Sequence, residues 1–331
     1  ASGVLLALYA RGGWGWPIGF VALVPWLWTL DRLHSHRAAL ASALLMSIGF
    51  VAAALGWFGP AFGAYVGIDA VPATAILLLL APVLQPQFLV FAVVRHAAAR
   101  RHGAVLSALA GAAAWVGCEW LMPKLLGDTL GHGLQPSLWF RQAADLGGAA
   151  GLTFVLLLVN DALAYALRAG RSAWRPLSMA AFIVALLAGY GAWRIASLQA
   201  ALSAPAAAMR VGLIQANLTD LERRRADVGA YAVVRDVLDT HVAMSEHAVR
   251  EQGAEALLWS ETIYPTTFGT PKSEDGAAFD REIQDLVVAL GTPLVFGTYD
   301  RDDAGEYNSA AALEPARGLL GHYRKTHLFP F

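Results

Sequence analysis

Two short segments hold the residues best able to do chemistry. In Trp259-Ser260-Glu261-Thr262-Ile263-Tyr264-Pro265 a carboxylate follows directly on the apolar run 256–259. In Tyr323-Arg324-Lys325-Thr326-His327 an ammonium group ends an alternating stretch. A Glu at the C-terminal end of a buried strand sits where α/β sheets place their ligands. Held against Trp259 and Tyr264, its carboxyl would be desolvated and its pKa raised, which suits a general base. Lys325 would offer positive charge to a developing oxyanion. On spacing alone the signal is weak, because a Glu or Lys at a strand end is usually an ordinary solvated charge. His34, His36, His132, His322 and His327 lack ligand spacing with other donors, so no metal is expected. The single Cys118 excludes an internal disulfide framework and any cysteine-based zinc or iron–sulfur site. No cofactor is indicated.

These residues need a scaffold, and residues 201–331 read as one. The stretch 210–217 (RVGLIQAN) is a buried strand, 232–251 a helix with Val233, Val234, Val237 and Leu238 on one side, and 256–259 a second strand. A helix over 276–290, a strand over 293–299 and a hairpin of 307–313 with 319–324 follow. Strand and helix in alternation predict a layered α/β sheet.

Residues 1–200 are built differently. The whole chain is 57% apolar and 15% charged, with a mean hydropathy of +0.49, against about 25% charge in ordinary soluble domains. Residues 1–200 carry net +6 and residues 201–331 net −7. A basic stripe suited to nucleic acid is absent. A bilayer core takes about 20 apolar residues to cross. The candidate spans are 4–10 (clipped), 14–30, 39–57, 71–94, 103–121, 149–167 and 177–196, about seven in all. Eight arginines follow the even-numbered spans (Arg32, Arg37, Arg95, Arg100, Arg101, Arg168, Arg171, Arg175). The other loops hold three basic residues, Arg11, Lys124 and Arg141. That bias puts the even-numbered ends in the cytoplasm and residues 201–331 outside it. Trp14, Trp16, Trp26, Trp28, Trp57 and Trp139 fall near span ends, as an interfacial belt would. The long apolar loop 122–148 would dip into lipid or wall a lipid-sized cleft. Glu119 and Asp161, the acids inside spans, read as packing groups rather than an ion path.

The whole chain resembles the apolipoprotein N-acyltransferases, bacterial enzymes with a membrane bundle and a nitrilase-type (carbon-nitrogen hydrolase) domain. The Glu261 segment is similar to the family's W-P-E-[ST]-A-x-P, and Tyr323–Phe331 is similar to Y-x-K-x-H-L-V-P-F. Val211–Asn217 resembles V-x-L-[VI]-Q-G-N, and Tyr307-Asn308-Ser309 resembles Y-N-[ST]. Family-like counterparts also exist for 19–26 (GFVALVPW), Glu119-Trp120-Leu121 and 145–160. Ser260 and Ile263 depart from the family's Pro and Ala, and Arg223-Arg224-Arg225 stands where many members have Lys-Trp.

The resemblance implies a multi-pass α-helical membrane bundle over 1–200 and an extracytoplasmic α/β domain over 201–331, an αββα sandwich incomplete at its C-terminus. It implies Glu261 as catalytic base and Lys325 as oxyanion partner. Tyr264, Asn308, Gln215 and Asn217 become candidates for substrate binding or site support. The implied reaction is ping-pong acyl transfer. A cysteine thiolate takes an acyl chain from a phospholipid, and a diacylglyceryl apolipoprotein accepts it, at the bacterial inner membrane. The nucleophilic Cys of the family belongs tens of residues beyond Phe331, before a last span. The 331 residues are therefore expected to be truncated at both ends and inactive alone, since Cys118 lies in a span about 140 residues before Glu261. A membrane-tethered amidase using the same Glu and Lys, and a non-catalytic protein that binds lipid or lipoprotein, are the alternatives. A transporter is disfavoured because the spans carry few polar groups.

Overall fold

The computed structural model describes residues 1–122, 124, 127–202, 208–218 and 221–328, which fall into two compact units dividing near residue 204. The Phe329-Pro330-Phe331 end of the lysine segment lies outside the described residues.

The first unit is helical: α1 (Ser2–Ala10), α2 (Val24–Leu30), α3 (His36–Leu55), α4 (Phe58–Val66), α5 (Ala70–Leu84), α6 (Gln87–Arg101), α7 (Ala104–Leu121), α8 (Ala144–Ala169) and α9 (Trp174–Leu202). Among the described residues four helical stretches are long and apolar enough to cross a membrane: α3, α7, Phe140–Ala169 and α9. A fifth is counted if α4 and α5, bent by 120°, act as one span. Two of the seven expected spans are not continuous helices. Residues 14–30 divide into a 3-10 stretch, Gly13–Phe20, and the seven-residue α2. The left-handed Gly12 (φ 71) and the non-helical Val21 (φ −130) bound that stretch. Residues 71–94 break at Gln85 (φ −131, ψ 56), because proline at the next position drives the preceding residue out of the helical region.

Aromatic and aliphatic side chains fill the core of this unit, with Trp115 edge-on to Phe88 and Phe91. Trp26 belongs to it rather than to an interfacial belt, since it packs on the same two rings and its indole donates to Ser42 Oγ. Trp14, Trp57 and Trp139 remain exposed. Arg95 lies inside α6, not in a loop. Its guanidinium donates to both oxygens of Asp161 (2.7 and 2.6 Å) and to Asp31 (2.6 Å). Arg168 reaches the second oxygen of Asp31. Asp161 is thus spent on joining α6 to α8. Glu119 accepts from Lys124 and Thr129, tying the end of α7 to the following loop.

Among its described residues the second unit holds one five-stranded sheet and three helices: β1 (Val211–Ile214), α10 (Leu221–Val228), α11 (Ala230–Arg250), β2 (Ala256–Trp259), α12 (Glu274–Leu290), β3 (Leu294–Asp302), β4 (Gly305–Glu314) and β5 (Gly318–Arg324). The strands lie in chain order, parallel from β1 to β3 and antiparallel from β3 to β5. Sequence local to α12 explains its ends. Ser273 accepts a hydrogen bond from Gly276 N, Glu274 and Asp275 occupy the first turn, and left-handed Gly291 closes the helix. Alternation along the strands then gives the sheet two faces. Ile214, Leu257, Trp259, Leu294, Phe296 and Leu313 pack against Val234 and Leu238 of α11 and Phe279, Ile283 and Val287 of α12. Each such side chain contributes about 1.5–3 kcal/mol on full burial. On the opposite face Leu213, Leu258 and Val295 stand in register across three strands and are exposed. Between β4 and β5 the ladder shifts by one. Leu313 pairs with Leu319 and Ala312 with Gly321, leaving Leu320 as the surplus residue of a bulge.

Candidate active site

Glu261 is the second residue beyond β2 and is carried on a loop stitched to β3. Gly297 N donates to Ser260 O (3.2 Å), and Tyr264 N donates to Gly297 O (3.1 Å). The approach is close enough to require glycine, because a Cβ on Gly297 would lie 2.6 Å from Glu261 Cα. Between them Thr262 is left-handed (φ 54), an unusual conformation for a β-branched residue.

Lys325 follows β5, and its backbone N–H donates to Asn308 O (2.8 Å), extending the β4–β5 ladder by one bond. That register delivers both side chains to one carboxylate oxygen. Lys325 Nζ lies 2.7 Å from Glu261 Oε1, and Asn308 Nδ2 donates to the same atom at 3.1 Å. Glu261 Oε2 has no hydrogen-bond partner among the described residues. The pair faces water, the Glu261 side chain being 62% exposed and that of Lys325 38%.

Its electrostatics differ from the expectation drawn from sequence. The Glu261 carboxyl is held below the usual carboxylate range, first by the Lys325 hydrogen bond and then by Asn308. The two aromatic neighbours in sequence do not desolvate it. Trp259 faces the helices, with its indole donating to Ser245 Oγ, and Tyr264 is buried with its hydroxyl 2.7 Å from Asp280 Oδ1. The structure therefore presents an ionised carboxylate with one free oxygen beside a fixed ammonium. Such a group can accept a proton while the ammonium and the Asn308 amide steady nearby negative charge.

The carboxylate, Lys325 and Asn308 stand at one end of a cleft of about 530 Å³ on the uncovered sheet face, floored by Leu213, Leu258 and Val295 with Tyr323 beside them. Gln215 lines this cleft just past β1. Asn217, two residues on, is exposed and left-handed (φ 50) and does not line it. Tyr264 lies beneath the loop, as support for it rather than as a wall of the cleft. Sequence reasoning passed over Gly297 and Asp280. A glycine inside the apolar run of β3 was the available sign of a close backbone approach.

Residues 2–162 match the apolipoprotein N-acyltransferase N-terminal domain, and residues 210–330 match the carbon-nitrogen hydrolase family. Curated relatives named apolipoprotein N-acyltransferase include one from Geobacter metallireducens, 27% identical over 100% of this chain and 63% of its own length. Another, from Chlorobaculum tepidum, is 23% identical over 95% of this chain and 60% of its own. A third, from Thermosynechococcus vestitus, is 25% identical over 96% and 60%. The chain spans about three fifths of the length of these relatives.

Proposed function

Since this chain belongs to the apolipoprotein N-acyltransferase family of the nitrilase superfamily, we propose that it serves the transfer of a fatty acyl chain from a phospholipid to the N-terminal diacylglyceryl-cysteine of an apolipoprotein. The observation that carries this reading is the Lys325–Glu261–Asn308 constellation at the strand ends. In this role Glu261 Oε2 accepts the proton of a cysteine thiol, and the thiolate attacks the acyl ester carbonyl. Lys325 offsets the negative charge that collects on the carbonyl oxygen. Collapse leaves a thioester and expels the lysophospholipid, whose leaving oxygen takes the proton back from Glu261. The α-amine of the apolipoprotein, losing its proton to Glu261, then takes the acyl chain, and the departing thiolate recovers that proton as the free thiol. Cys118, the one cysteine in the 331 residues, lies in α7 and is buried, so the thiol of this scheme is another residue's.

Two finer features belong to the same proposal. The exposed stripe Leu213–Leu258–Val295 supports an αββα sandwich, in which a second sheet covers this face. The arginine bias of alternate loops supports a multi-pass inner-membrane protein with the sheet unit on the extracytoplasmic side. It persists, seven against three, when Arg95, which is buried within α6, is left out.

The test is acyl transfer by the full-length protein in vesicles of phosphatidylethanolamine with labelled acyl chains, using a diacylglyceryl-cysteine peptide as acceptor. Wild type is expected to N-acylate the peptide, and Glu261→Gln to lose about 10²–10⁴-fold of that rate. Undiminished transfer by the variant, or hydrolysis of small amides in place of transfer, would overturn the reading.

A further inference from the structure

The loop that carries Glu261 is held from two sides. One side is the backbone of β3, through Gly297 and through Tyr299, whose N–H donates to Thr266 O and whose O accepts from Phe268 N (both 3.1 Å). The other side is α12, through the Asp280 carboxylate and, at 3.2 Å from the Tyr264 hydroxyl, the Gly276 carbonyl. Asp280 Oδ1 accepts from the Tyr264 hydroxyl at 2.7 Å, and Asp280 Oδ2 accepts from Gly269 N at 2.9 Å. One oxygen thus grips the loop three residues after Glu261 and the other grips it near its far end.

The placing of this acid is costly. Asp280 is 5% exposed, and burial pushes its carboxyl up, against the Tyr264 and Gly269 hydrogen bonds and the nearby Arg281 and His322. A buried carboxylate that is not in a close ion pair is favourable only where its hydrogen bonds offset the lost hydration. Here both bonds go to one loop. That loop contains Thr262 in the left-handed region, a conformation that persists only where the surroundings over-determine it.

We infer that Asp280 is a positioning residue for Glu261, clasping the loop through Tyr264 and Gly269 so that the Thr262 turn keeps the carboxylate on Lys325 and Asn308. The inference rests on the reading of Glu261 as the catalytic base. Asp280 touches neither Glu261 nor the cleft, so its effect reaches the carboxylate through the backbone. Loosening the clasp lets the Thr262 turn relax and moves Glu261 Oε1 away from Lys325.

The experiment uses the full-length membrane protein and two measurements on Asp280→Ala, Asp280→Asn and Tyr264→Phe. The first is a carboxyl titration by isotope-edited infrared spectroscopy, with Glu261→Gln assigning the band. Glu261 is expected to titrate below the usual carboxylate range in wild type and to rise toward that range in Asp280→Ala. The second is acyl transfer per folded molecule, where kcat is expected to fall by about 10²-fold with KM for phospholipid unchanged. Asp280→Asn, which keeps an acceptor for Tyr264, is expected to recover part of both. Should Asp280→Ala not fold, Tyr264→Phe removes one arm of the same clasp and carries the same expectation on a smaller scale. An unmoved Glu261 titration in every folded variant overturns the inference, whatever happens to kcat. A wild type that transfers no acyl chain would sink the functional reading alone, because the titration still decides the role of Asp280.

Discussion

Each unit of this protein contains a cation locked on a carboxylate, and the two are built to opposite ends. In the membrane unit Arg95 meets Asp161 through two bonds and Asp31 through a third, with side chains 3%, 6% and 7% exposed. In the sheet unit Lys325 meets Glu261 through one oxygen, in the open, and the other oxygen is free among the described residues. The buried cluster joins helices through three hydrogen bonds of one guanidinium. The exposed pair is held through one carboxylate oxygen, and the other has no partner among the described residues. The presence of an ion pair therefore says little, whereas its burial and its unused valence separate fastening from chemistry.

The largest expected effect that sharpens this contrast is at the buried end. Asp161→Ala removes two of the three hydrogen bonds of buried Arg95, leaving it Asp31 alone, and is expected to cost about 3–5 kcal/mol, read as early thermal unfolding of detergent-solubilised protein, while acyl transfer per folded molecule is retained. A fall in specific activity without loss of stability would break the distinction. Next comes Gly297→Ala, which forces the Glu261 loop off β3. Overpacking of this kind costs about 1–3 kcal/mol, and transfer should fall further than stability alone explains. Smallest is Asn308→Ala, read in the acid limb of kcat/KM. Glu261 is depressed in the folded state, so removing one of its donors should move that limb to higher pH. By the same sign, the stability contributed by the Lys325–Glu261 pair is present above the unfolded carboxyl pKa and is lost as pH falls through the folded one. In an exposed pair that contribution amounts to at most about 1 kcal/mol. A limb that stays in place would mean that Asn308 serves the strand and not the carboxylate.

Much of this site was legible in the sequence. Glu261 and Lys325 drew attention because each terminates an apolar or alternating run, and period-two patterning carries over directly into strand and face; their roles came from the family resemblance, not from the spacing. Residues 256–259 form β2 to the residue. The direction of the Glu261 shift was not legible. Nearness in sequence to Trp259 and Tyr264 says nothing of side-chain direction, and the partner that governs the shift is 64 positions away. Asp280 escaped notice for a related reason, since an acid inside an amphipathic helix looks solvated until a loop folds over it. In the membrane unit hydropathy located the apolar stretches but not their continuity. The break before Pro86 and the 3-10 stretch of Gly13–Phe20 lie within uniformly apolar sequence.

The bulge at Leu320 has a consequence for which cation meets the carboxylate. Had Leu320 paired regularly with Ala312, the ladder would run one step out of its present alignment. Arg324 would then stand opposite Asn308, and Lys325 opposite Tyr307. Instead Arg324 turns to the far face, where it binds Asp300 and Asp302, and Lys325 is delivered to Glu261. The two side chains are not equivalent at such a position. Arginine would bring a broad, planar fork that fills both carboxylate oxygens, whereas lysine brings a compact charge that occupies one. A single surplus residue in β5 thus chooses the narrower cation, and with it an oxygen on Glu261 that stays open.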